Sequence, residues 1–308
     1  MRISIMGAGA LGSLIGALLH LSGVEVILIG RPPHITEIEK NGLRISGRME
    51  ALLRIPTSLH PVECDLSILT VKSYDTREAA RQMKGFEFPV LSLQNGIGNE
   101  EILMEELGEE RVIGGVTSYG ALRVEPGHVK YTGEGEIVIG EMNGELTGRI
   151  RRISEVFRKA NLNVRISRDV KMEIWKKAIV NCGINPLTAI AGVRNGALLE
   201  IPTLRKIMKE VCEEAKRIAE SYGIRFDEDP VNKTFEVARK TSENLSSMLQ
   251  DVMAGRRTEI DAINGEVVRR ARALKIPAPI NESLYRLVKV LENDGRTESS
   301  DDSNAPGA

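Results

Sequence analysis

Residues 2–30 read RISIMGAGALGSLIGALLHLSGVEVILIG, and this stretch decides the fold. Residues 2–6 are an apolar run suited to a buried strand, 13–21 carry a helical pattern, and 24–29 (VEVILI) form a second apolar run. Between the first strand and the helix stands GAGALG, with Gly7, Gly9 and Gly12. A glycine cluster alone is often just a turn. Between a strand and a helix it has a mechanism. Gly7 permits the tight turn, Gly9 lets the backbone approach a pyrophosphate, and Gly12 lets the helix pack closely on the sheet. Ala8, Ala10 and Leu11 complete the turn, and the helix N-terminus offers amides to the phosphates. Strand, turn, helix and strand make a βαβ unit, whose handedness implies a parallel sheet.

The alternation continues outward. Strands are expected over 65–71 and 89–93, with helices over 74–83 and 100–107. Residues 31–62 are less regular, and 43–46 can pair with 51–55 as short strands. Strands over 111–119 and around 129–131 and 136–139 are expected to complete the sheet edge. A helix over 147–160 and a short strand over 162–166 follow. From 169 onward only helices are expected: 170–185, 187–200, 203–222, 230–254, 257–274 and 280–293. The reading is an α/β protein with an N-terminal Rossmann-type dinucleotide-binding domain (1–168) and an all-helical C-terminal domain (169–294). The ending GRTESSDDSNAPGA, 295–308, reads as a disordered polar tail.

Composition narrows the function. With 42% hydrophobic and 28% charged residues in 308, the chain can bury a large core. A net charge of −1 and 4% aromatics argue against nucleic acid as a partner. No apolar run approaches a membrane span, and a strand pattern starting at residue 2 leaves no room for a signal peptide before the fold. The cysteines, Cys64, Cys182 and Cys212, match no zinc spacing and read as thiols of a reducing, cytoplasmic compartment. No histidine lies beyond His128, so the helical half has no histidine acid.

An NAD site usually places Asp or Glu at the end of the second strand for the ribose hydroxyls. Here that strand ends at Gly30-Arg31, and an arginine suits a 2′-phosphate, which favours NADPH, with NADH as the alternative. Lys72 and Asn95 each follow a buried strand, at the strand ends where open α/β sheets bind ligands. Singly, each reads as a surface lysine and a turn asparagine.

The helical half contains WKKAIVNCGINP at 175–186. Lys177, Asn181 and Asn185 recur every fourth residue, a polar stripe among apolar neighbours that needs partners. A protonated lysine can polarise a ketone and give a proton to the alkoxide formed by hydride addition. Partial burial would lower its pKa from about 10.4. Lys176, on another face, reads as solvated, and Cys182 as a buried structural thiol. Pro186 disfavours helix at Asn185, so capping at a helix break competes with a ligand role for Asn181 and Asn185. In SENLSSMLQDVMAGRRTEID, 242–261, Asn244, Ser247 and Asp251 fall on one face of the expected helix. Glu259 lies about 18 Å beyond Ser247 if the helix is unbroken, so a bend at Ala254-Gly255 is needed to bring them together. Taken alone, Glu259 reads slightly better as a first-turn acid behind Thr258.

With these motifs the chain resembles the ketopantoate reductase family over about residues 1–294. The resemblance rests on GAGALG, VKSYDT, LQNGIGN, KKAIVNCGINPLTA with RNG following, and SSMLQDVMAGRRTEIDAINGEVV. It implies NADPH-dependent reduction of 2-dehydropantoate to (R)-pantoate, toward pantothenate and coenzyme A. It implies Lys177 as proton donor and Glu259 as the group positioning substrate and lysine. Asn181, Asn185, Asn195, Asn244 and Ser247 would contact the substrate. Asn95 and Lys72 would lie near cofactor and substrate, and Arg31 would meet the NADPH phosphate. A homodimer is expected from the long helices of the second domain. Two alternatives stay open: a related reductase of another 2-oxo acid or a phosphorylated polyol, and a non-catalytic dinucleotide sensor.

Overall fold

The structure, a computed structural model, describes residues 1–301, with side chains described to Glu292; the expected tail over 295–308 falls outside that range of side chains and, from 302, outside the described residues. The chain divides into two compact units, Met1–Gln94 with Gly98–Ile174, and Asn95–Ile97 with Trp175–Ala308.

The first unit begins with β1 (Arg2–Met6), α1 (Ala10–Leu21), β2 (Glu25–Ile29) and α2 (His34–Asn41). Then come β3 (Leu43–Gly47), β4 (Ala51–Leu53), β5 (Thr57–Ser58), β6 (Leu66–Leu69), α3 (Thr76–Gln82), β7 (Val90–Ser92) and α4 (Asn99–Leu107). It closes with β8 (Val112–Thr117), β9 (Gly120–Glu125), β10 (His128–Gly133), β11 (Ile137–Glu141), α5 (Gly148–Lys159) and β12 (Val164–Ile166). The main sheet has eight strands in the order β12-β11-β8-β7-β6-β1-β2-β5. β1 sits among parallel neighbours, β2 and β6, and its residues Ile3 and Ile5 are fully buried. Such two-sided burial is what a continuous apolar run encodes. β8 and β11 pair antiparallel.

In the first unit two features depart from expectation. The strands of 111–139 do not all complete the sheet edge. β9 and β10 form a hairpin that joins β3 and β4 in a separate four-stranded sheet, β4-β3-β10-β9. The cause is the parallel pairing of β10 with β3, which draws the hairpin away from its sequence neighbours β8 and β11. α2 lies in the stretch read as irregular. It is eight residues of mixed polarity, held inward by His34, Ile35 and Ile38.

The second unit is built from the greater part of α6 (Val170–Ala191), then α7 (Ala197–Glu200), α8 (Pro202–Ser221), α9 (Pro230–Lys240), α10 (Ser247–Met253), α11 (Glu266–Leu274) and α12 (Pro279–Asp301). A single π-helical turn, Asp261–Gly265, precedes α11 and is closed by Gly265 N–H to Ile260 O at 2.9 Å. The two cores divide α6 itself. Val170 and Ile174 pack in a core of the first unit, and Trp175 onward in the helical core, so the division falls inside the helix rather than at 168. α6 also runs through Pro186, where a break was expected. The helix expected over 230–254 is instead two helices. Ser and Asn compete for backbone hydrogen bonds, and SENLSS turns rather than winds. Asn244 N–H bonds Thr241 O at 2.8 Å, and the Ser246 hydroxyl caps α10 through Leu249 N–H at 3.1 Å.

α6 approaches its neighbours closely at Gly183, where a Cβ would stand 2.5 Å from Cys212 Sγ and 2.9 Å from Thr234 Cγ2. Both atoms belong to buried residues. Among the described residues, no helix is long and apolar enough to cross a membrane, and no cluster of His, Cys, Asp and Glu could hold a metal ion. Gly183→Val is expected to cost about 1–3 kcal/mol through overpacking, read from the midpoint of chemical denaturation. An unchanged midpoint would contradict this close approach.

Candidate active site

In the first unit the glycine turn follows β1 directly. Gly7 has φ +104°, and a Cβ there would strike Val71 N at 2.4 Å. Gly12 presses α1 onto the sheet, with Thr70 Oγ1 and Gly7 O each 2.4 Å from where its Cβ would be. Gly9 differs: a Cβ would meet only Gly7 O, at 4.0 Å, so its outer side is open. The first i→i−4 bond of α1 is Ser13 N–H to Gly9 O, 3.0 Å, which leaves the amides of Ala10, Leu11 and Gly12 without an intrahelical acceptor. Ala8 N–H and Gly7 N–H both go to Ile29 O, at 2.8 and 2.9 Å, and tie the turn to the end of β2.

A buried hydrogen-bond chain fixes this turn from behind. Gly127 N–H, between β9 and β10, donates to His34 Nδ1 at 2.9 Å. The proton of a neutral imidazole is then on Nε2, which donates to Ser13 Oγ at 3.1 Å, and Ser13 Oγ–H donates to Ala8 O at 3.3 Å. Burial, aided by the charge of Arg123, lowers the His34 pKa to about 4. From the other side, Thr70 Oγ1–H donates to Gly7 O at 2.8 Å. Ser13, His34 and Thr70 were not singled out in the sequence, because nothing in their spacing marks them.

Arg31 follows β2, with its side chain 73% exposed and one terminal nitrogen 3.2 Å from Asp75. Lys72 O accepts Asp75 N–H at 2.8 Å, so Asp75 links the two expected cofactor cations within one segment. Lys72 is half-buried just past β6.

In the second unit, α6 keeps Lys177, Asn181 and Asn185 on one continuous helix. Lys177 and Asn181 are half-buried and Asn185 is 5% exposed. Lys176 is not solvated: it is buried and bonds Asp227 at 2.9 Å, which holds that carboxyl below its usual pKa. The acidic run at Asp227-Glu228-Asp229, unremarked in the sequence, supplies its partner. Cys182 is fully buried, and burial pushes its thiol pKa well up.

Glu259 is 6% exposed and accepts from Asn95 Nδ2 at 3.2 Å. Asn95 reaches it because Asn95–Ile97 docks on the turn that follows Glu259. Ile97 N–H bonds Ala262 O at 2.8 Å, and a Cβ on Gly96 would meet that oxygen at 2.5 Å. Thr258 Oγ1 accepts Ile260 N–H at 3.2 Å, but the π-helical turn begins only at Asp261, so Glu259 stands in the bend before it, buried and partnered, and is not a first-turn acid. Asn195 and Asn244 meet through their backbones, Asn195 N–H to Asn244 O at 3.1 Å. The Asn195 side chain is buried and donates to Thr241 Oγ1 at 2.8 Å. Asn244, Ser247 and Asp251 do not share a helix face, because α10 begins only at Ser247. Asn244 and Ser247 are exposed, and Asp251 is buried against Arg256 at 3.0 Å.

The comparisons with known proteins agree over nearly the whole chain. The family profile "Ketopantoate reductase PanE/ApbA" matches residues 3–144, and "Ketopantoate reductase PanE/ApbA C terminal" matches residues 169–292. A 2-dehydropantoate 2-reductase of Archaeoglobus fulgidus is 41% identical over 293 residues, 95% of this chain and 98% of that protein. Among solved structures, a PanE/ApbA family ketopantoate reductase from Ralstonia eutropha matches with a TM-score of 0.90 at 35% identity, covering 96% of this chain and 100% of that one. The ternary structure of D-mandelate dehydrogenase with NADH and anilino(oxo)acetate matches with a TM-score of 0.90 at 29% identity, covering 96% and 100%.

The His34 chain has a pH signature. Its folded pKa, about 4, lies below the ordinary 6.5, so the unfolded state binds more protons between those values. The contribution of His34 to stability is complete above about pH 6.5 and is lost as pH falls toward about 4. His34→Gln is expected to flatten the rise of Tm with pH across this window. An unaltered slope would contradict a neutral buried His34.

Proposed function

The chain belongs to the ketopantoate reductase family, and on that premise we propose that it reduces 2-dehydropantoate with NADPH and a proton, giving (R)-pantoate and NADP⁺. The setting inferred is cytoplasmic, on the route to pantothenate and coenzyme A, in keeping with three free thiols.

The turn suits a dinucleotide. The open side of Gly9 leaves room for a pyrophosphate, and the first-turn amides of Ala10, Leu11 and Gly12 face an anion with the helix dipole behind them. Gly7 and Ala8, tied to β2, hold the turn's shape. Arg31 is the group for the 2′-phosphate, because β2 ends without a carboxylate and the guanidinium remains largely exposed. Lys72 and Asn95 complete the cofactor-binding set. When bound, NADPH supplies the hydride that reduces the substrate ketone.

The chain's own contribution is to orient the oxo acid and move one proton. The Lys177 ammonium donates a hydrogen bond to the ketone oxygen, stabilises the charge that develops there, and gives up the proton. Asn181 and Asn185, one and two turns further along α6, present amide donors to the substrate without adding charge. Glu259, held by Asn95, positions substrate and lysine. Asn195 holds the segment carrying Asn244, and Ser247 contributes a hydroxyl at the start of α10. The single observation that carries this reading is the unbroken course of α6 through Pro186, which keeps the lysine and both asparagines on one stripe. A 2-oxo acid with a bulkier apolar group is the competing substrate, favoured by the equally high TM-score to a mandelate dehydrogenase.

Steady-state nucleotide oxidation should be measured with 2-dehydropantoate, pyruvate, 2-oxoisovalerate, dihydroxyacetone phosphate and phenylglyoxylate. Efficient turnover is expected with 2-dehydropantoate alone; a preference for phenylglyoxylate would overturn the substrate assignment. Lys177→Ala is expected to lower kcat by about 10²–10⁴-fold while NADPH still binds. Near-normal kcat would remove Lys177 as the acid. Arg31→Ala is expected to raise KM for NADPH about tenfold and leave that for NADH nearly unchanged. An equal effect on both nucleotides would exclude the phosphate role.

A further inference from the structure

A proline inside a helix removes one donor, and the carbonyl four residues back loses its partner. In α6 that carbonyl belongs to Cys182, and the residue is fully buried, so water cannot replace the missing N–H. The side chain of Asn264 replaces it. Asn264 Nδ2 donates to Cys182 O at 3.4 Å and, with its second hydrogen, to Asn281 Oδ1 at 3.0 Å. Asn281 Nδ2 donates in turn to Val211 O at 3.1 Å and to Glu214 Oε2 at 2.9 Å. Glu214 also accepts Asn281 N–H at 2.9 Å, at the start of α12. Asn264 and Asn281 are completely buried and Glu214 nearly so.

The donor has to be a side chain with two hydrogens on one nitrogen, aimed at both acceptors. Asn264 sits in the π-helical turn Asp261–Gly265. That turn holds one residue more than an α-turn, and removing it would rotate Asn264 by about 100°. The same segment begins just after Glu259, and its Ala262 O anchors Ile97 N–H beside Asn95. One wide turn therefore serves α6 through Asn264 and the Asn95–Glu259 pair through its backbone.

We propose that Asn264 is a positioning residue for the reaction: it supplies the hydrogen bond that Pro186 removes and so keeps Lys177, Asn181 and Asn185 aligned along α6. Asn264 acts through the helix backbone, and the inference rests on the catalytic reading of that stripe. Its distinguishing feature is that the demand of Cys182 O on Asn264, unlike the bond to Asn281 Oδ1, exists only because residue 186 is proline. An alanine at 186 restores a backbone N–H to Cys182 O and makes the amide dispensable for α6.

The test is a double-mutant cycle on the full chain. Asn264→Ala is expected to lower kcat for 2-dehydropantoate about 10- to 100-fold, with KM for NADPH nearly unchanged. In the Pro186→Ala background the same substitution is expected to change kcat by no more than about twofold. Equal losses in both backgrounds, or no loss in the first, would overturn the proposal. If Asn264→Ala alone does not fold, the double variant should fold and turn over; a double variant that also fails to fold overturns it. Amide hydrogen exchange over residues 178–191 gives a readout without substrate. It should quicken in Asn264→Ala and return to the Pro186→Ala rate in the double variant, and failure of that return counts against the proposal. A parent enzyme inactive on 2-dehydropantoate would count against the substrate assignment alone, because the exchange measurement still decides the role of Asn264.

Discussion

The second unit depends on how one buried carbonyl, that of Cys182, is satisfied. Pro186 cannot donate to it, and an orphaned buried acceptor costs about 1–3 kcal/mol, a large part of the stability of an ordinary domain. The chain answers with Asn264, which in turn needs Asn281 and Glu214 as partners. This polar chain runs through α8, the turn before α11, and the start of α12. Around it the packing is tight, with Gly183 allowing Cys212 and Thr234 to close on α6. Thr188 Oγ1, bonded back to Ile184 O at 2.9 Å, reinforces the turn beside the proline. The result is a helix that continues through the proline and carries a lysine and two asparagines at fourfold spacing.

At the other end of the chemistry, the glycine turn is shaped by hydrogen bonds that never touch a ligand. Gly7 and Ala8 are held by Ile29 O, Gly7 O by Thr70, and Ala8 O by Ser13. His34 extends that hold to Gly127 in the separate four-stranded sheet. A neutral imidazole is the right group here, since it donates on one side and accepts on the other. The small sheet thus has a structural part in shaping the glycine turn, although none of its residues lies in the glycine motif.

Much of this was legible in the sequence, and for physical reasons. GAGALG between a strand and a helix demanded the turn that is found, because only glycine tolerates φ +104° at Gly7 and the crowding at Gly12. The fourfold spacing of Lys177, Asn181 and Asn185 survived because it needed only a helix. What sequence could not give were the long-range partners. Local rules say that Pro186 ends a helix; Asn264, far along the chain, says otherwise. Local rules make Lys176 solvated; Asp227 buries it. The stripe Asn244, Ser247 and Asp251 assumed a helix that serine and asparagine unwind at 241–246. The pairing of β10 with β3 likewise joins segments that are neighbours only in space.

The proposed reaction requires α6 to deliver a proton to the substrate ketone through the Lys177 side chain. Chemical rescue tests it most directly. Lys177→Ala should be assayed with 2-dehydropantoate and NADPH in the presence of small primary amines of graded pKa. The expected result is a saturable recovery of turnover by the ammonium forms, with the rate following the acidity of the added amine, and no effect of these amines on the parent enzyme. Absence of any recovery, or recovery that does not depend on amine acidity, would contradict proton donation from this position.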